Sequence, residues 1–179
     1  MIRTILVATD GSDHAKKALT LACDLGAKYK AKLILLHVPL FNVRSETLQT
    51  VATRSGLSKN LRSLLDNYEA DFQLGVAATA MGAGAGTGFA PPPRDLVEAI
   101  GQQIMTRAEK VAAKAGVKKV TSVTAEGDPA DVILDTAAKN KVDMIILGSR
   151  GLSDFKGLLF GSVSHKVSAQ AGCTCVTVK

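Results

Sequence analysis

The sequence predicts an α/β protein, a doubly wound five-stranded parallel sheet in which helices cover both faces. Three observations point there. Short apolar runs rich in β-branched residues recur at Arg3–Asp10, Lys32–Val38, Val120–Ala125, Asp143–Leu147 and Cys175–Val178, each of strand length. Most are near-continuous rather than alternating, as in strands buried on both faces. Segments with helical periodicity separate them, and parallel neighbours need such crossovers.

The elements follow in order. Ile5, Leu6, Val7 and Ala8 carry the first strand and leave Asp10 at its carboxyl end. Gly11 and Ser12 supply a turn and an N-cap, after which Ala15, Ala18, Leu19 and Ala22 recur at helical spacing. The second strand is closed by Pro39, and Leu57, Leu61, Leu64 and Leu65 predict a peripheral helix. Gly75–Pro93 is rich in glycine and alanine and ends in Pro91, Pro92 and Pro93, a composition that favours a mobile loop with a stiff polyproline exit. Residues 1–179 are therefore read as one domain with a long flexible insertion at about 42–93.

Leu96, Ile100, Ile104, Ala108, Val111 and Ala115 share a helical face, and Gly116 ends that helix. Asp128 as N-cap and Pro129 in the first turn open the next, with Val132, Ile133, Thr136 and Ala137 inward. Ser162 is expected to cap a last helix that runs to about Ala171 before the closing strand. In such sheets ligands bind outside the carboxyl ends of the strands, at the point where the strand order reverses.

With 46% hydrophobic and 21% charged residues, the composition is that of an ordinary globular domain. No apolar run reaches membrane-spanning length and no secretory signal pattern is present, so a cytoplasmic protein without a membrane partner is expected. Cys23, Cys173 and Cys175 lack the spacing of a zinc site and are read as reduced core or near-core thiols. The net charge of +6 comes from basic residues dispersed along the chain, with two tyrosines, five phenylalanines and no tryptophan. A solvated basic surface is expected, with no nucleic-acid partner, and the charge helps to attract a polyphosphate.

The motif that carries chemistry is Gly148-Ser149-Arg150-Gly151, nine residues, then Gly161-Ser162, placed between the fourth strand and the last helix. Glycines there let backbone amides approach phosphate oxygens, and the helix start adds unpaired N–H groups. Ser162 either caps the helix or donates to a phosphate, and Ser164 lies close enough to assist. Arg150 and Lys156 either pair with phosphate or are merely solvated.

This spacing, with Leu152-Ser153 and Val163-Ser164 around it, resembles the ATP-binding motif of the universal stress protein family. Ile5-Leu6-Val7-Ala8-Thr9-Asp10-Gly11-Ser12 resembles that family's first strand, and Leu35-Leu36-His37-Val38 its second. Gly127-Asp128-Pro129-Ala130 completes the set. The resemblance implies strand order 3-2-1-4-5 with ATP across the carboxyl ends of strands one and four. Carried over, Ala8, Thr9 and Asp10 line the adenosine side and Val38 borders the adenine. Leu147, Gly148 and Gly151 match the next stretch of pocket, and Gly161, Ser162 and Val163 the phosphate end. The relatives' common pairing implies a homodimer through Cys175–Val178. Ala8 stands where relatives can have proline.

AMP or ADP would fit the same pocket, with Mg²⁺ arriving through the phosphates. Asp10 and Asp13 have ordinary roles as turn former and dipole partner. His37 reads as a packing residue at a strand end, and His14 and His165 as helix-surface residues. The expectation is a nucleotide-dependent sensor or regulatory module. A slow ATPase or a phosphoryl or nucleotidyl transferase is the alternative.

Overall fold

A computed structural model describes residues 1–39, 41, 48, 57–80, 91–151 and 161–179. The strands are β1 (Thr4–Ala8), β2 (Lys32–His37), β3 (Val120–Thr124), β4 (Met144–Gly148) and β5 (Thr174–Val178). The helices are α1 (Asp13–Tyr29), α2 (Lys59–Ala80), α3 (Arg94–Lys114), α4 (Pro129–Lys139) and α5 (Ser162–Gln170). All pairings are parallel, in the order β3-β2-β1-β4-β5, so the predicted topology holds and strand boundaries differ by no more than a residue or two.

Alternation along the strands divides the core. Ile5, Val7, Leu33, Leu35 and Ile146 face α1 and α3, meeting Ala18, Ala22, Met105 and Ala108. Leu6, Ile34, Leu36, Ile145 and Leu147 face α4 and α5, meeting Ala130, Ile133, Ala137 and Val167. Ile5, Leu6, Leu33 and Leu36 have no exposed surface, and each such side chain contributes about 1.5–3 kcal/mol by leaving water. Beyond α3, Leu65 of α2 and Leu57 pack with Leu96, Val97, Ile100 and Ile104. No described helix is long and apolar enough to cross a membrane.

Two helix ends depart from expectation. The glycine- and alanine-rich stretch expected to be loop from Gly75 is helical as far as Ala80, because three of its six residues are alanine, the best helix former, and one glycine costs only about 1 kcal/mol. Residues 81–90, and with them most of the expected mobile loop, lie outside the described residues. At the last helix the N-cap is Gly161, not Ser162, which is the first helical residue.

The other helix starts are as expected. Ser12 Oγ accepts the Ala15 N–H at 3.2 Å. Asp128 Oδ1 accepts the Ala130 and Asp131 N–H groups at 3.1 Å each. Lys166 of α5 reaches Asp128 and Asp131 at 3.2 and 2.6 Å. The Asp131 N–H, followed by the Lys166 bond, holds the Asp128 carboxyl below the usual carboxylate range.

Lys30 closes α1 in the left-handed region (φ 53°), its N–H bonded to Ala27 and Gly26 carbonyls. Lys141, just after α4, does the same (φ 50°). Glycine is the usual occupant of this geometry, because a Cβ costs about 1–2 kcal/mol there. Lys30→Gly and Lys141→Gly are each expected to raise stability by about 0.5 kcal/mol, part of the relief being offset by glycine's freedom in the unfolded chain. Urea unfolding checks this, and a lowered midpoint in both variants would show that neither lysine is strained.

Candidate functional site

The carboxyl ends of β1 and β4 lie side by side, with Ala8 opposite Leu147. This is the switch point, since β1 pairs with β2 on one side and β4 on the other. From β1 the chain turns sharply into α1. Thr9 N–H extends the sheet to Leu36 O at 2.9 Å, and its hydroxyl oxygen accepts the Gly11 N–H at 3.3 Å. Asp10 Oδ1 accepts the Ser12 N–H at 2.9 Å, an Asx-type turn. Gly11 sits at φ 81°, where a side chain would be strained.

Four elements meet at Ser149, which is 1% exposed. Its N–H donates to Val178 O at 2.7 Å, at the end of β5. Its carbonyl accepts the Gly161 N–H at 2.8 Å and the Ser164 hydroxyl at 2.8 Å, which anchors the start of α5. Its own hydroxyl lies 3.0 Å from Nδ1 of His14 on α1. This residue therefore sets the distance between the two halves of the glycine motif. Sequence reasoning passed over it and placed His14 on the helix surface; the one available signal was a small polar residue directly behind a wholly apolar strand.

The glycines have different reasons to be glycine. A Cβ on Gly148 would lie 2.9 Å from Ala15 N and from the His14 carbonyl carbon, so the first turn of α1 excludes a side chain there. A Cβ on Gly151 would lie 2.8 Å from Asp10 Oδ2. Packing against protein atoms thus gives these two glycines a reason to lack a side chain besides the expected approach of backbone amides to phosphate. Gly161 differs, because its added Cβ would meet Ser149 O at 3.5 Å and Arg150 Cα at 3.6 Å, ordinary contacts.

Each remaining residue expected at the site is placed around this frame. Ala8, Val38 and Val163 pack half-buried on the α4–α5 side of the sheet, and Leu147 is buried with them. Arg150 and Gly151 are half-buried, Ser162 is exposed and Thr9 is buried. The Arg150 carbonyl stands 3.5 Å from Ser12 Oγ, a long contact that joins the two exits. Ser164 is buried and its hydroxyl is divided between the Ser149 and Gly161 carbonyls, so it anchors the helix start rather than reaching outward. Leu152, Ser153 and Lys156 lie outside the described residues.

No side chain caps α5. Its first intrahelical bond runs from His165 N to Gly161 O, which leaves the N–H groups of Ser162, Val163 and Ser164 without intrahelical partners. They add the positive end of the helix dipole at the same spot. His37, at the end of β2, is 6% exposed and Nδ1 lies 2.8 Å from Thr9 O, so Nδ1 carries the proton. Gly101 of α3 packs against its ring, where a Cβ would come within 2.8 Å of Nε2. Burial lowers its pKa below the ordinary imidazole value, opposed by the Thr9 bond and the Asp10 charge.

A five-stranded parallel sheet with helices on both faces, whose strand order reverses between β1 and β4, defines the doubly wound class of α/β proteins. Within that class the chain belongs to the universal stress protein family, whose sequence profile matches residues 1–179. It is 32% identical over 179 residues to universal stress protein YxiE of Bacillus subtilis, covering 100% of both chains. Among solved structures it resembles a universal stress protein in complex with cAMP (TM-score 0.58, 21% identity, 99% and 96% of the two chains). It also resembles the universal stress protein from Archaeoglobus fulgidus in complex with dAMP (TM-score 0.56, 16% identity, 100% and 98%).

Two outcomes follow from this geometry. Gly148→Ala, forced against backbone, is expected to destabilise the fold by about 1–3 kcal/mol, while Gly161→Ala costs less than about 1 kcal/mol; equal chemical-denaturation midpoints for the two would contradict the contact geometry. His37, neutral in the fold, binds fewer protons than in the unfolded chain. Its contribution is complete above the ordinary value of about 6.5 and is lost as pH falls through the lower folded value. An NMR titration should place the midpoint of the folded imidazole below the ordinary value of about 6.5, and a midpoint at or above it would refute this.

Proposed function

We propose that the chain binds an adenine nucleotide, ATP with ADP or AMP as alternative occupants, across the carboxyl ends of β1 and β4. It works as a nucleotide-dependent sensor or regulatory module, as a homodimer joined through β5. The observation that carries the reading is the uncapped start of α5 beside Ser149 and Arg150. Three backbone N–H groups lack intrahelical partners where a phosphate's oxygens would accept them.

In this reading Ala8, Thr9 and Asp10 border the adenosine and Val38 the adenine, with the phosphates running over Gly148, Arg150 and Gly151 to Gly161, Ser162 and Val163. Mg²⁺ would come with the phosphates, which supply most of its oxygens. Family membership and the neighbours solved with cAMP and dAMP support an adenylate ligand. Binding rather than turnover is favoured because the nearest histidines are engaged, His37 with Thr9 O and His14 with Ser149 Oγ.

Isothermal titration with ATP and with adenosine tests the reading. ATP should bind the more tightly, and Gly161→Val should weaken ATP at least about tenfold, or 1.4 kcal/mol. Adenosine affinity and melting temperature should stay close to wild type. Absence of ATP binding, or an unchanged ATP affinity in the variant, would defeat it. Release of ADP at a steady rate with Mg²⁺ would return the protein to the enzymes.

A further inference from the structure

The basic residues are dispersed in sequence but not in space. In a parallel sheet every strand begins at the same pole, and every preceding helix ends there. At that pole Lys32 N–H donates to Arg3 O and Leu33 N–H to Lys119 O, each at 2.8 Å, so Arg3, Lys32 and Lys119 lie on consecutive rungs. Lys30 closes α1, Lys118 precedes β3 and Lys141 precedes β4. All six are exposed apart from half-buried Lys32.

Across residues 1–4, 27–32, 112–119 and 138–143, Asp143 is the one acidic side chain. Its Oδ2 accepts the N–H groups of Arg3 and Thr4 at 2.8 Å each. Among the described residues none of these lysines forms an ion pair.

Helix dipoles explain Lys28, Lys114 and Lys139, which lie in last turns. They do not explain lysine in the left-handed conformation at positions 30 and 141, where glycine relieves strain and the dipole already has its cation a residue or two earlier. A backbone outlier kept at two matching places points to a use for the charge. The nucleotide site, at the opposite ends of the strands, does not use it. Between Lys28 and Lys30 stands Tyr29, 45% exposed.

We infer that this pole is a binding surface for single-stranded nucleic acid, read without sequence preference. Strands β3, β2, β1 and β4 set the basic rungs over about 14 Å, three strand spacings, a width that meets several phosphates of one strand. Lysines act as point charges towards phosphate, and an exposed tyrosine among them offers the face on which an unpaired base stacks. A duplex would present no free base to Tyr29. A membrane would need a broad apolar anchor, and among the described residues the large apolar side chains exposed at or next to this pole are Met1, Tyr29 and Val111.

The test measures fluorescence anisotropy of a labelled oligothymidylate of about 20 nucleotides, with and without saturating ATP. Wild-type protein should bind it in both cases. A plot of log affinity against log salt should have a slope near −3, about 0.7 for each of some four contacts. The double variant Lys30→Gly/Lys141→Gly, expected to fold at least as well as wild type, should lose about 1.4 from that slope. Tyr29→Ser should weaken binding roughly tenfold with the slope unchanged. The inference is overturned if the oligonucleotide does not bind at low salt, if ATP displaces it, or if the double variant keeps affinity and slope. It is equally overturned if phosphatidylserine vesicles bind while the oligonucleotide does not.

Discussion

Five strands running in one direction impose a polarity on the molecule, and most of what distinguishes its surface follows from that constraint. A parallel neighbour can be reached only by returning through a crossover, so helix starts collect at one pole and helix ends at the other. The first pole gathers N–H groups and short polar turns, as at Asp10, Ser12 and Gly161. The second gathers carbonyl ends and the lysines that follow them. Core packing holds the two apart, because the alternating strand residues are committed to α1 and α3 on one face and to α4 and α5 on the other.

At the first pole many of the polar groups satisfy one another. Ser149 uses its N–H, carbonyl and hydroxyl on β5, α5 and α1 in turn. A buried polar residue with all its groups engaged rigidifies its surroundings, while the same residue left unpaired would be costly. His37 is held likewise one strand over, its ring fixed between Thr9 O and Gly101, while its burial favours the neutral form. Among the described residues no side chain caps the first turn of α5, because glycine at its cap brings no oxygen of its own.

Much of this was legible in the sequence. Strand existence followed from apolar runs separated by helical spacing, a signal that tertiary packing reinforces, whereas strand order came only as what the family resemblance implied. Ser12 and Asp128 were readable as caps because their chemistry is local. Less local facts were not. That Gly148 is glycine because α1 presses on it depends on a helix more than a hundred residues away in the chain. The bond from His14 to Ser149 has the same long reach. Ser162 was mistaken for the cap because a cap is told from a first-turn residue by backbone angles, not by residue type. The basic residues looked scattered because only the folded sheet brings Arg3, Lys32 and Lys119 onto neighbouring rungs.

The contact between Gly148 and the opening turn of α1 interlocks the two halves of the switch point as meshed teeth do. Neither the β1 exit nor the β4 exit can slide without carrying the other, whatever the connecting segments do. A guest arriving there would find a seat already shaped by the hydrophobic core. The entropy of ordering that seat was met when the chain folded, which leaves more of the contact energy to appear as affinity.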